Sequence, residues 1–138
     1  MDPQESLGTV LIVDDFAPLR RNLAFLLHIA GFNVITADNG AFALAELREE
    51  LPDLVISDVR MPGMDGFALL AEIRSCRAWE HLPVIFTSSC YALEDVTFAL
   101  ELGVSDYVPK PFDIYDILDS IQRVAPHLMP VVSERIAG

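Results

Sequence analysis

Five short apolar runs punctuate the chain, at residues 9–13 (TVLIV), 33–37 (NVITA), 54–57 (LVIS), 84–88 (VIFTS) and 105–108 (SDYV). They favour β-branched residues, and those at 9–13, 54–57 and 84–87 lack polar alternation. Unalternated runs of this length fit strands covered on both faces, as in a parallel sheet. Between them the hydrophobic period becomes that of a helix. Residues 18–30 place Leu19, Leu23, Leu26, Leu27 and Ala30 on one stripe, with Pro18 at a first helical position and Gly31 just past the end. A second helix is predicted at 41–50, stopping ahead of Pro52. A third starts near Gly66 with Asp65 as N-cap and turns Phe67, Leu70 and Ile73 inward. A fourth covers 92–102 and ends at Gly103, and a fifth covers 114–124 after Asp113, with Ile114, Ile117, Leu118, Ile121 and Val124 on one face. Strands alternating with helices in this way predict an α/β sandwich of three layers with right-handed crossovers. The expected organisation is an N-terminal extension at 1–8, one domain at 9–125, and a C-terminal extension or linker start at 126–138, where two prolines fall.

Composition narrows the class. At 138 residues, 52% hydrophobic and 22% charged, the chain is long and apolar enough to bury a core without staples. Nine basic residues against 21 acidic ones give a formal charge of −12, which argues against this domain clamping a nucleic-acid backbone or an anionic membrane. Cys76 and Cys90 are too few for a disulfide framework and lack metal-ligand spacing, so reduced thiols in the cytoplasm are expected. No signal segment opens the sequence, and no apolar run approaches the roughly 20 residues that cross a bilayer.

The unusual polar residues fall where the strands end. In open α/β sheets ligands bind outside the carboxyl ends of the strands. The first run leads into Asp14 and Asp15, the third into Asp58, and the fourth ends in Thr87, Ser88 and Ser89. The fifth is followed by Lys110, the only lysine in the chain, held between Pro109 and Pro111. Singly, such residues are ordinary turn formers, helix caps or solvated charges. Together they are harder to dismiss, because three carboxylates in one crevice repel by up to about 4 kcal/mol per close pair before screening. A divalent cation relieves that repulsion, and carboxylates, a carbonyl and retained waters suit Mg²⁺. His28, His81 and His127 lie outside this group. A phosphate-bearing ligand would meet the Lys110 charge and the Ser88 hydroxyl. An aspartate is already ionised at neutral pH and can attack phosphorus without a general base.

The motifs LIVDD (11–15), DLVISDVRMPGMDG (53–66), PVIFTSS (83–89) and DYVPKPF (106–112), in this order and spacing, resemble the receiver domain of two-component response regulators, the CheY-like family, over residues 10–124. The resemblance implies a flavodoxin-like, doubly wound (βα)5 fold whose five-stranded parallel sheet runs in the order 2-1-3-4-5. It implies that Asp58 is the phosphoacceptor, Asp15 a direct Mg²⁺ ligand, Asp14 the acid that holds a metal-bound water, and the backbone carbonyl of Arg60 a further ligand. Lys110 resembles the lysine that contacts the phosphoryl group, with a cis bond to Pro111. Ser88 resembles the switch hydroxyl, since it lies five residues after Pro83, and Tyr107 the aromatic that moves inward with it. Tyr107 also reads as an ordinary edge-strand aromatic. Ser89 stands where the family usually has Ala or Gly, Arg60 puts a cation beside the site that can pair with a neighbouring acid, and Cys90 occupies a position that tunes hydrolysis.

The reading is a phosphorylation-activated switch, not a classical enzyme. It takes a phosphoryl group from a sensor histidine kinase or a histidine phosphotransfer protein and signals to a downstream protein or output domain through the fourth helix, fifth strand and fifth helix, as a monomer or weak homodimer. Two rivals are a receiver-fold interaction module that works without phosphorylation and an aspartate-based phosphohydrolase of the haloacid dehalogenase type. The second wants an Asp where Arg60 stands. A flavin carrier would need a Ser/Thr-rich phosphate loop where Asp14 and Asp15 lie, and the P-loop motif G-x-x-x-x-G-K-[ST] is absent from the sequence.

Overall fold

The structure, a computed structural model, describes residues 6–89 and 92–129. Among these, five strands alternate with five α-helices: β1 (Thr9–Val13), α1 (Ala17–Ala30), β2 (Asn33–Ala37), α2 (Gly40–Glu49), β3 (Leu54–Asp58), α3 (Gly66–Ser75), β4 (Val84–Ser88), α4 (Leu93–Leu102), β5 (Asp106–Pro109) and α5 (Ile114–Val124). All pairings are parallel, and the strand order is β2-β1-β3-β4-β5. The sheet is the expected one. Its inner strands β3 and β4 are buried along their whole length, whereas the edge strand β2 is half exposed, which explains why only the inner runs lack polar alternation.

Helices cover both faces. Leu11, Val13, Val55, Val84 and Phe86 face one way and pack with Ala43, Leu47, Leu70, Ile73 and Ala99 of α2, α3 and α4. Val10, Ile12, Leu54, Ile56, Ile85 and Val108 face the other way against Leu23 and Leu27 of α1 and Ile117 and Ile121 of α5. This split is the period of two that a strand imposes on its side chains.

Helix ends follow local chemistry. α1 stops at Gly31, whose φ of 115° is left-handed. Asp65 caps α3 by accepting the Ala68 N–H, and Asp113 and Asp116 form a reciprocal capping box on α5. Boundaries at α1, α2, β3, α4 and β5 shift by one residue from the sequence pattern. α2 begins at Gly40 because Asn39 accepts the Phe42 N–H, and β3 reaches Asp58, which pairs with Thr87. Packing also runs past the expected range of 9–125. Leu7 and Met129 pack against the α1/α5 core, and Leu128 is buried in it from the short 3₁₀ turn Pro126–Leu128. The pattern misses this because two prolines read as a chain leaving the domain. Residues 130–138 lie outside the described part.

Two features set the positions of loops near the sheet edge. A Cβ on Gly66 would stand 2.4 Å from the Asp58 carbonyl oxygen and 2.9 Å from the Val59 Cα, so the start of α3 lies against the Asp58 backbone. Arg74 donates to the carbonyls of Gly103, Glu80 and Leu82, which ties the end of α4 and the entry of β4 to α3.

Replacing Gly66 with Ala forces backbone apart at the end of β3 and is expected to destabilise the fold by about 1–3 kcal/mol, read from urea denaturation. Asp106 supplies a pH test. Burial works against its charge, but hydrogen bonds from Ser120 (2.6 Å), Arg123 (2.7 Å) and the Tyr107 N–H hold its carboxyl below the usual carboxylate range. Its contribution is therefore complete above the unfolded-state value, near pH 3.9, and is lost as pH falls through the lower folded-state value. The stability gap between the parent chain and Asp106→Asn should be full at neutral pH and close in that acid window, as urea melts across pH will show.

Candidate functional site

Strand periodicity delivers the site. The alternation that turns Val10 and Ile12, Leu54 and Ile56, and Val108 toward the α1/α5 core continues to Asp14, Asp58 and Lys110 at the carboxyl ends of β1, β3 and β5. Three strands that are distant in sequence therefore end in groups of matching orientation. The Lys110 Nζ donates to Asp14 Oδ2 at 3.1 Å and stands 3.4 Å from Asp58 Oδ2. One carboxylate oxygen each from Asp14, Asp15 and Asp58 lie within 4.8 Å of one another. Asp14 and Asp58 are buried and Asp15 is exposed at the rim.

Backbone groups fix these side chains. Asp14 Oδ1 accepts the Phe16 N–H at 2.9 Å, and the Arg20 guanidinium donates to the Asp14 carbonyl at 2.8 Å. Asp58 Oδ1 accepts the Val59 N–H at 2.9 Å. The Lys110 N–H donates to the Ser88 carbonyl at 2.8 Å, tying the lysine turn to the end of β4, and the Lys110–Pro111 peptide is cis as expected.

Burial pushes the Asp58 carboxyl above the ordinary aspartate value, and the Asp14 charge adds to that push, while Lys110 and the Val59 N–H oppose it. With all three acids ionised, one ammonium leaves two negative charges uncompensated in a pocket of hard oxygen donors. That charge and donor set fits a divalent ion such as Mg²⁺ and offers nothing to a soft metal.

Ser88 is buried at the end of β4, and its neighbour Thr87 occupies the buried strand position opposite Asp58. Tyr107 is partly buried against the core under α2, α3 and α4, its ring edge-on to Phe86 at 6.1 Å. The Arg60 side chain pairs with Asp95 of α4 at 3.0 Å, and its guanidinium lies 5.5 Å from the centre of the Phe67 ring. His28, His81 and His127 are exposed. Cys90 lies outside the described residues. Beside Lys110, an open recess of about 430 Å³ is lined by Phe16, Leu19, Ser89, Pro111 and Phe112. Arg20 and Asp95 escape sequence reasoning, because an arginine on a helix or an acid in a first turn has no local signal of a tertiary partner.

Residues 10–122 match the family model described as the response regulator receiver domain. The chain is 40% identical over 120 residues to the DNA-binding transcriptional regulator NtrC of Escherichia coli K12, covering 87% of this chain but only 25% of that protein. It is 40% identical over 114 residues to a 14.6 kDa uncharacterized protein of Leptolyngbya boryana, covering 83% of this chain and 87% of the other. Among solved structures it resembles the chemotaxis protein CheY4 of Vibrio cholerae, with a TM-score of 0.81 and 32% identity over 85% of this chain and 98% of that one. It also resembles the signal receiver domain of a signal transduction histidine kinase from Syntrophus aciditrophicus, with a TM-score of 0.80 and 32% identity over 86% and 90% of the two chains. The convergence of Asp14, Asp58 and Lys110 on one sheet edge and the match across most of its length agree, and the chain belongs to the response regulator receiver domain family of two-component signalling.

Proposed function

We propose that this chain is a phosphorylation-operated switch with Asp58 as its phosphoacceptor. The observation that carries the reading is the Lys110 ammonium, held 3.1 Å from Asp14 and 3.4 Å from Asp58 at the mouth of the acidic pocket. A phosphoryl group on the Asp58 oxygen would arrive with its negative charge beside that cation. The donor is a phosphohistidine presented by a sensor histidine kinase or a histidine phosphotransfer protein in the cytoplasm. The Asp58 carboxylate attacks phosphorus, a P–O bond forms as the P–N bond breaks, and the electron pair leaves on the imidazole nitrogen. Lys110 and Ser88 donate to the transferred oxygens, so catalysis is mainly electrostatic. Asp14, Asp15, Asp58 and the Arg60 backbone carbonyl would hold Mg²⁺, which supplies neutralisation of phosphoryl charge when bound. The apolar side chains of Phe16, Leu19 and Phe112 beside Lys110 give a donor protein something to rest on.

Attraction of Ser88 toward the phosphoryl group, followed by Tyr107, shifts a two-state equilibrium that α4, β5 and α5 report to a downstream protein or output domain. Leu93, Leu100 and Tyr115 are exposed on those helices and suit such a contact. Attack of water on the acyl phosphate resets the switch. Arg60 in place of a second catalytic acid weighs against the phosphohydrolase reading, and the assembled acid–lysine pair weighs against an interaction module without phosphorylation.

Incubated with Mg²⁺ and an acyl phosphate, the chain is expected to take up one base-labile phosphoryl group, and Asp58→Asn none. Sustained release of phosphate from many esters per chain, or label that survives in Asp58→Asn, would overturn the assignment. Lys110→Met gives a second test. Removing the resident cation should tighten Mg²⁺ binding, measured by calorimetry, on the order of fivefold, the equivalent of about 1 kcal/mol. The same variant should take up label about 100-fold more slowly, because a donor to the transferred oxygens is lost.

A further inference from the structure

α4 is fastened unequally at its two ends. Its carboxyl end is pinned: Arg74 donates to the Gly103 carbonyl at 2.9 Å, Gly103 makes a left-handed cap, and Val104 is buried. Its amino end has Ala92 at the cap position with no side-chain hydrogen bond. Ala99 is the only fully buried residue of the helix, so little apolar surface holds it to the sheet. Among the described residues, one group of side chains rooted beside the phosphoacceptor ties down the first turns. Asp95 pairs with Arg60 at 3.0 Å, Arg60 lies over the Phe67 ring, and the Phe67 ring meets Phe98 edge-on at 5.0 Å. Asp95 and Phe98 are three apart and share one helix face, so both contacts act on the same side of α4.

We infer that Arg60 is a latch, clamping the amino end of α4 through Asp95 in the resting state and exchanging that carboxylate for a phosphoryl oxygen when Asp58 is modified. This inference rests on the switch function proposed above and names the residue that couples its site to α4. Arg60 is two residues beyond Asp58, on the loop leaving β3. Its pair with Asp95 is mostly solvated on the arginine side, which is 54% exposed, and such pairs are weak. A phosphoryl group on Asp58 carries more charge and more acceptor oxygens than the Asp95 carboxylate, and guanidinium binds such oxygens through two parallel N–H groups. The partner that loses is Asp95, and the helix then hinges about the end held by Arg74. Arg60 is thus a positioning residue for α4, with no role required of it in bond making.

The test is amide hydrogen exchange on the full chain, before and after acyl phosphate with Mg²⁺, with phosphoryl uptake measured by mass on the same samples. In the resting state, Asp95→Asn should exchange the first turns of α4 roughly twofold to fivefold faster than the parent chain, with α1 and α2 unchanged. Asp95→Glu, which keeps the carboxylate, should retain parental protection. On phosphorylation the parent chain should lose that protection, and Asp95→Asn should show no further loss. Equal α4 protection in the parent and Asp95→Asn at rest overturns the latch, as does parental protection that persists in chains carrying the label. Chains that take up no label overturn the switch function itself, and the exchange of partners with it.

Discussion

Like charge gathered at one edge of a sheet is the constraint on which the rest of this molecule depends. A parallel sheet points all its carboxyl ends the same way, and the order β2-β1-β3-β4-β5 places β1 beside β3 at the centre. Their last or next residues are Asp58 and Asp14, both buried. Two buried carboxylates with Asp15 at the rim would push the strand ends apart unless a cation stood between them, and Lys110 supplies one from β5. Burial still holds the Asp58 carboxyl above the ordinary aspartate value, so the cation does not fully offset the cost of burial. Stability has been exchanged for a site that favours the arrival of more positive charge.

That residual imbalance links the fold to the proposed chemistry. A fully neutralised pocket would have little affinity for a metal, and a fully apolar one would be better packed but inert. Here the helices on both faces provide rigidity, and the strand ends hold the charge in place. Gly66 lets α3 start hard against the Asp58 backbone, so the end of β3 that carries Asp58 is braced from behind. Beside it, the amino end of α4 is attached by polar and aromatic contacts.

Much of this was legible in the sequence, for identifiable reasons. Unalternated runs such as LVIS fit burial on both faces, so the parallel sheet follows from the pattern of apolar positions. Asp14, Asp58 and Lys110 were findable because each interrupts an apolar pattern at a strand end. Asp113 and Asp65 announced their helices by local capping chemistry. The misses share a different cause. Ser120 reads as a tolerated small residue on α5, yet its hydroxyl donates to Asp106 across 14 positions. Arg20, Arg74 and Asp95 look like surface charges on amphipathic helices, and only the tertiary arrangement gives each its partner. Leu128 was hidden by prolines that signal a turn but do not say on which side of the turn the core lies.

The chain carries eight arginines' worth of permanent positive charge for every primary side-chain amine, since Lys110 is the single lysine among nine basic residues. Reagents that acylate or reductively alkylate amines therefore encounter one internal target, and it stands inside the pocket at the sheet edge. Such modification would report occupancy of the pocket directly, because whatever fills the space between Asp14 and Asp58 also shields the nitrogen paired with them.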